Sequence, residues 1–94
     1  MNAVSLIGTL TADPDLQEPR GSLPRCTLRL AVPRYSRNGQ REPGVVYVDV
    51  TTFGLRAREC AQRLKLGSSV GLTGRLDSDH PQSAGVQIDQ LTYL

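Results

Sequence analysis

No stretch of the sequence approaches the roughly 18 consecutive apolar residues of a membrane-crossing helix. Asn2 to Leu10 also lacks the basic start and long apolar run of a secretory signal. A soluble, cytoplasmic chain with no membrane partner is expected. Cysteine is scarce, with Cys26 and Cys60 the only two. Neither has a CxxC or Cys/His partner at metal-ligand spacing, which argues against a zinc site. In a reducing compartment both are expected as free thiols that pack as small hydrophobes. Catalytic motifs are missing as well: there is no GxSxG, P-loop, HExxH or GxGxxG. His80 is the single histidine, and its neighbours Asp77 and Asp79 suggest at most a metal-dependent nuclease. Two carboxylates without a defined cage fit a solvated loop better. The expectation is a protein that is not an enzyme and takes no cofactor.

What is present fits one small folded domain spanning residues 1–94. Hydrophobic residues make up 38% of the chain and are spread along it, against disorder. Nine Gly and six Pro suit a fold with many turns. The net charge is +2, and ten of the eleven basic residues are Arg, with Lys65 the exception. A guanidinium can pair with phosphate and stack on a base. Genomic composition would produce the same bias, so the count alone leaves the partner open.

Val4, Leu6, Gly8 and Leu10 alternate as one face of a first strand, with Ile7 breaking the pattern. Asp13-Pro14-Asp15 predicts a turn, and Gln17 to Pro24 a loop. Arg25 to Arg37 gives the clearest strand, with Cys26, Leu28, Leu30 and Val32 inward. Pro33 cannot donate a ladder hydrogen bond, so pairing is expected to weaken or bulge there. Asn38-Gly39 and Pro43-Gly44 predict a long hairpin loop. Val45 to Phe53 returns, with Val46, Val48 and Val50 on one face. Ala57, Cys60, Ala61 and Leu64 then recur at helical spacing between Leu55 and Leu66, and Gly67 suits the helix end. Ser69 to Leu76 predicts a fourth strand with Val70, Leu72, Gly74 and Leu76 inward. A loop from Asp77 to Gly85 and a last strand from Val86 to Leu94 follow. Val86 and Ile88 are out of phase with Leu91 and Leu94, which implies a bulge. This order predicts an all-β protein, a five-stranded barrel of the oligonucleotide/oligosaccharide-binding (OB) type, with one helix between strands three and four.

The outward faces of strands two and three carry Arg25, Thr27, Arg29, Tyr35, Tyr47, Thr51 and Phe53. Paired strands would merge these into one surface of rings and guanidinium groups. Rings offer every base a π-face, worth about 1–3 kcal/mol per base, and Arg neutralises phosphate. Arg34, Arg37 and Arg41 on the hairpin suit an electrostatic funnel or a solvated tip. The aromatics would equally suit a subunit contact, since rings favour strands in any case.

The residues also resemble the bacterial single-stranded DNA-binding protein family. Met1-Asn2-Ala3-Val4, Leu6-Ile7-Gly8, Leu10 and Asp13-Pro14-Asp15-Leu16 look like that family's start. Leu30-Ala31-Val32, Val50-Thr51-Thr52-Phe53-Gly54, Ala57 through Cys60 to Leu64, Lys65 and Gly67, and Gly74-Arg75-Leu76 follow in its order and spacing. The resemblance covers the whole chain. It implies an OB core that assembles into dimers or tetramers and wraps single-stranded DNA around stacking aromatics. Tyr35, Tyr47 and Phe53 fall on such positions, and Arg75 joins the DNA-binding set. The implied role is sequence-tolerant protection of single strands in replication, recombination or repair, with replication or repair proteins as further partners at the nucleoid.

Three features depart from the family. Asp77, Ser78, Asp79, His80 and Pro81 stand where the family usually has an aromatic, often Trp, after basic residues. Asp49 puts a carboxylate on the expected DNA face. The acidic-tipped tail has no counterpart after Leu94, which fits a truncation or a tail-less short form alike. The alternative is a relative of the tail-less primosomal protein N, an OB domain acting mainly through protein–protein interaction. Stacking does not distinguish DNA from RNA.

Overall fold

The computed structural model describes residues 1–80 and 83–94, with side chains described outside 78–84. Its elements are β1 (Val4–Leu10), β2 (Asp15–Gln17), β3 (Arg25–Tyr35), β4 (Arg41–Phe53), α1 (Leu55–Arg63), β5 (Ser69–His80) and β6 (Ser83–Tyr93). β1 pairs antiparallel with β5 from Val4↔Gly74 to Thr9↔Ser69, and its end crosses to β3 at Thr9↔Ala31 and Leu10↔Leu30. β3 pairs with β4, β5 pairs with β6, and the parallel pairs Val50↔Val86 and Thr51↔Gln87 join β4 to β6. That ring of pairings closes a barrel from β1, β3, β4, β6 and β5, with α1 between β4 and β5: the OB architecture. β2 adds a short pairing on β3, Asp15↔Thr27 to Gln17↔Arg25. Asp15 is therefore strand rather than turn.

Alternation sorts the core. Cys26, Leu28 and Leu30 of β3, Val50 of β4 and Val70 of β5 are each at most 1% exposed. Ala57 and Cys60 of α1 are fully buried against them, while Arg58 and Gln62 face out. The helix is shorter than its apolar spacing predicts. Leu64 is already extended as the C-cap, and Gly67 serves the next turn, donating its N–H to the Leu10 carbonyl at 3.0 Å.

The expected bulges are present. The β3–β4 register shifts between Pro33 and Arg34: Pro33 pairs with Val45 while Arg34 pairs with Glu42. Pro43 and Gly44 are the extra residues, so they bulge a continuous β4 rather than lengthen the loop. Gly44 takes φ +86°, which suits a residue without Cβ. The loop contracts to Ser36–Gln40, closed by the Ser36 N–H to the Gln40 carbonyl at 2.8 Å. In β6, Asp89 is the extra residue between Gly74↔Ile88 and Thr73↔Gln90. The bulge lets Ile88 and Leu91 both reach the core despite their spacing.

Two further expectations are corrected. The segment read as a loop from Asp77 to Gly85 is mostly strand, with Asp77↔Gly85 and His80↔Ser83 continuing the β5–β6 hairpin. Leu76 was expected inward but is 54% exposed, because it lies beyond the last β1–β5 rung at Val4↔Gly74. There the Asn2 side-chain amide takes over the pairing: it donates to the Leu76 carbonyl at 2.9 Å and accepts from the Leu76 N–H at 2.8 Å. For the same reason Val46 is exposed while Val50 is buried, as β4 runs out of the barrel toward its hairpin. Pro81 lies outside the described residues, and the side chains of Asp79 and His80 outside those described. Among the described residues no helix is long and apolar enough to cross a membrane.

Candidate nucleic-acid interface

The β3–β4 register builds the outer face pair by pair. Arg25 stands opposite Phe53, Thr27 opposite Thr51, Arg29 opposite Asp49, and Ala31 opposite Tyr47. The inward alternates Cys26, Leu28, Leu30 and Val50 are buried, so these partners point away from the core. Tyr47 is 56% exposed and Phe53 41% exposed. Six residues separate them, roughly 20 Å along a strand at about 3.4 Å per residue. They cannot sandwich one base, but each can stack on a different nucleotide.

The face extends further than β3 and β4. Thr51 pairs with Gln87 of β6, and Gln87 with Arg75 of β5. Thr27, Thr51, Gln87 and Arg75 thus form one row across four strands. Arg75, distant in sequence, continues the outward surface of β4 through β6, around the barrel wall. Gln87 was not singled out from sequence. Its signal was present, since Val86 and Ile88 inward put Gln87 outward.

Charge is closely paired here. Arg29 Nη1 lies 3.1 Å from Asp49 Oδ1, and its guanidinium sits over the Tyr47 ring, 5.1 Å from the centroid. Arg34 reaches Glu42 at 3.5 Å and Arg75 reaches Asp89 at 3.5 Å. Arg41 turns onto the backbone of the β4 bulge, donating to the Glu42 carbonyl and, at 3.0 Å, to that of Gly44. It therefore holds the bulge rather than reaching outward. Arg37 is exposed in the hairpin turn.

Tyr35 stands apart from the two rings. It is 62% exposed and lines a groove with Ser5, Ile7, Val32, Pro33 and Gly71. This groove runs over β1 and β5, so its aromatic ring flanks the barrel on that side.

Ionisable groups with shifted behaviour lie elsewhere, around the thiols. Burial pushes Cys26 up to about 11, helped by nearby Cys60 and Asp15. Burial also raises Cys60, partly offset by its contact with the Tyr93 hydroxyl at 3.8 Å. The Tyr93 phenol is raised by burial and by that same contact. Arg63 covers the Tyr93 ring at 3.8 Å and pairs with Glu59 at 3.0 Å. These groups are protonated at neutral pH and pack the helix onto the barrel. They supply neither nucleophile nor base.

Comparison with known proteins finds similar chains. The model of the single-strand binding protein family matches residues 1–92. The chain is similar to single-stranded DNA-binding protein 3 of Listeria innocua, 36% identical over 78 residues, covering 83% of this chain and 49% of that one. It is also similar to single-stranded DNA-binding protein B of Bacillus subtilis, 33% identical over 88 residues, covering 93% and 78%. A crystal structure of a deletion mutant of the single-stranded DNA binding protein from Thermus aquaticus superposes with a TM-score of 0.81. It is 28% identical, and the match covers all of this chain and 50% of that one. The chain thus spans about half the length of the Listeria and Thermus proteins.

Proposed function

The chain belongs to the single-strand binding protein family, and on that premise we propose that it binds single-stranded DNA across the outer face of β3 and β4, with little preference among bases. One observation carries the reading: Tyr47 and Phe53 stay exposed on the outward face of β4, opposite the alternates Val50 and Thr52 that are buried, with Arg29 and Arg25 on the neighbouring strand. Unpaired bases stack on the rings, and the guanidinium groups meet phosphates. The role that follows is protection of single strands during replication, recombination or repair, by binding and not by catalysis.

A second observation supports self-association. Val4–Gly8 of β1 pair only with β5; among the described pairings, β3 meets β1 at Thr9 and Leu10 alone. Gly8 is already covered by Ala31 and Val32 of β3, but among the described pairings the opposite edge of Val4–Ile7 takes no partner strand, and Ile7 is 67% exposed beside the Tyr35 groove. An open edge next to an apolar groove is what a second copy would cover. We assign Tyr35 to this side on that ground, with a dimer or tetramer as the working form.

The test is a titration of fluorescent oligo-dT against a duplex of equal length. Tight binding to oligo-dT and weak binding to duplex supports the proposal. Equal binding to both would overturn it, because this face has no element shaped for a groove.

A further inference from the structure

Three arginines each have their own carboxylate: Arg29 on the proposed face, Arg75 on the outward surface of β5, and Arg34 on the β3–β4 hairpin, on the strand face opposite Arg29. Arg29 and Asp49 are direct cross-strand partners, as are Arg34 and Glu42. Arg75 meets Asp89, the extra residue of the β6 bulge. The contacts are 3.1, 3.5 and 3.5 Å, and all six side chains are between 40% and 55% exposed. Ion pairs this exposed contribute little to folding, because water and salt screen both partners. They do, however, place an anion where a phosphate would have to sit.

We infer that Asp49, Glu42 and Asp89 act as built-in counter-ions that single-stranded DNA must displace, so that they set the affinity and salt dependence of the site. The inference rests on the proposed DNA-binding role of this face. Binding exchanges carboxylate for phosphate on each guanidinium. The released carboxylate stays nearby and attracts a cation from solution, which offsets the cation released from the DNA. Each Arg–carboxylate pair then adds little to net ion release, and affinity falls less steeply with salt than the number of arginines implies. Asp49 acts twice, because Arg29 is held over the Tyr47 ring and covers part of the surface a base would use.

The experiment measures oligo-dT binding at several salt concentrations for the parent, for Asp49→Asn, and for a triple variant adding Glu42→Gln and Asp89→Asn. Single-strand binding changes its log–log salt slope by about 0.7 per phosphate neutralised. Asp49→Asn is expected to steepen the slope by up to about 0.7, and the triple variant by up to about 2. Affinity at low salt should rise by about two- to five-fold per carboxylate, the range an exposed ion pair implies. Glu59→Gln is the control. It makes the same change in net charge, but on α1, where Glu59 pairs with Arg63. Melting curves matching the parent show that the variants fold. The inference is overturned if all proteins bind oligo-dT with one slope, or if Glu59→Gln steepens it as much as Asp49→Asn. Failure of the parent and the triple variant alike to bind would instead overturn the DNA-binding role itself.

Discussion

Cys26 and Cys60 show how burial alone can decide a residue's chemistry. Both are completely inaccessible, and burial pushes their thiols away from the ionised form. A thiolate is the reactive species, so neither cysteine should react readily in the folded state. Alkylation at pH 8 should be slow in native protein, and two equivalents should be taken up after denaturation without reductant. The same shifts make stability depend on alkaline pH. The folded-state affinity of Cys26 for its proton, at about 11, exceeds the ordinary value of 9.0. Its contribution is therefore complete below pH 9 and is lost as pH rises toward 11. Cys60 and Tyr93 shift in the same direction. The melting temperature should be flat between pH 6 and 8 and fall between pH 9 and 11. A Cys26→Ser/Cys60→Ser variant should show a smaller fall over that range.

At the scale of elements, glycines and bulges decide where the strands go. A Cβ at Gly74 would collide with the Gln87 carbonyl oxygen and come within 3.0 Å of Val86 Cγ1. Gly74→Ala must push β5 away from β6 beside the Asp89 bulge. A loss of roughly 1–3 kcal/mol, typical of overpacking, is expected by thermal or urea unfolding. Several elements are legible in the sequence. Cys26, Leu28, Leu30 and Val50 declared their face by strict alternation, and Pro33 and the Ile88–Leu91 phase break announced their bulges. Other features are not. Pro43-Gly44 has the composition of a loop, and only pairing on both sides reveals a bulge inside β4. Asp77 to Gly85 reads as polar loop because its sequence, DSDHPQSAG, shows no alternation of apolar and polar residues. The outward Tyr47, Thr51 and Phe53 were legible, whereas the Thr51–Gln87–Arg75 row depends on a parallel pairing that no local pattern encodes.

At the scale of the whole molecule, the barrel divides its surface. One side carries Tyr47, Phe53 and Arg29 with its partner Asp49; another carries the open edge of β1, Ile7 and the Tyr35 groove. If a second copy covers the latter, light scattering at micromolar concentration should give a dimer or tetramer mass. Ile7→Lys should shift that mass toward monomer, because it places a charge in the covered surface. A parent that scatters as a monomer would contradict the assembly. Single-strand binding should still occur in Ile7→Lys, with lower affinity where several subunits share one strand.

The central claim is that Tyr47 and Phe53 are stacking platforms and not packing residues. It is tested most directly by oligo-dT affinity of the Tyr47→Ala/Phe53→Ala variant, measured beside its melting temperature and mass. If each ring stacks on its own nucleotide, their contributions add to about 2–6 kcal/mol, at about 1–3 kcal/mol per base. The salt slope, melting temperature and oligomeric mass should stay close to the parent values. An unchanged affinity would contradict the account, and so would a loss of affinity accompanied by a comparable loss of stability or assembly.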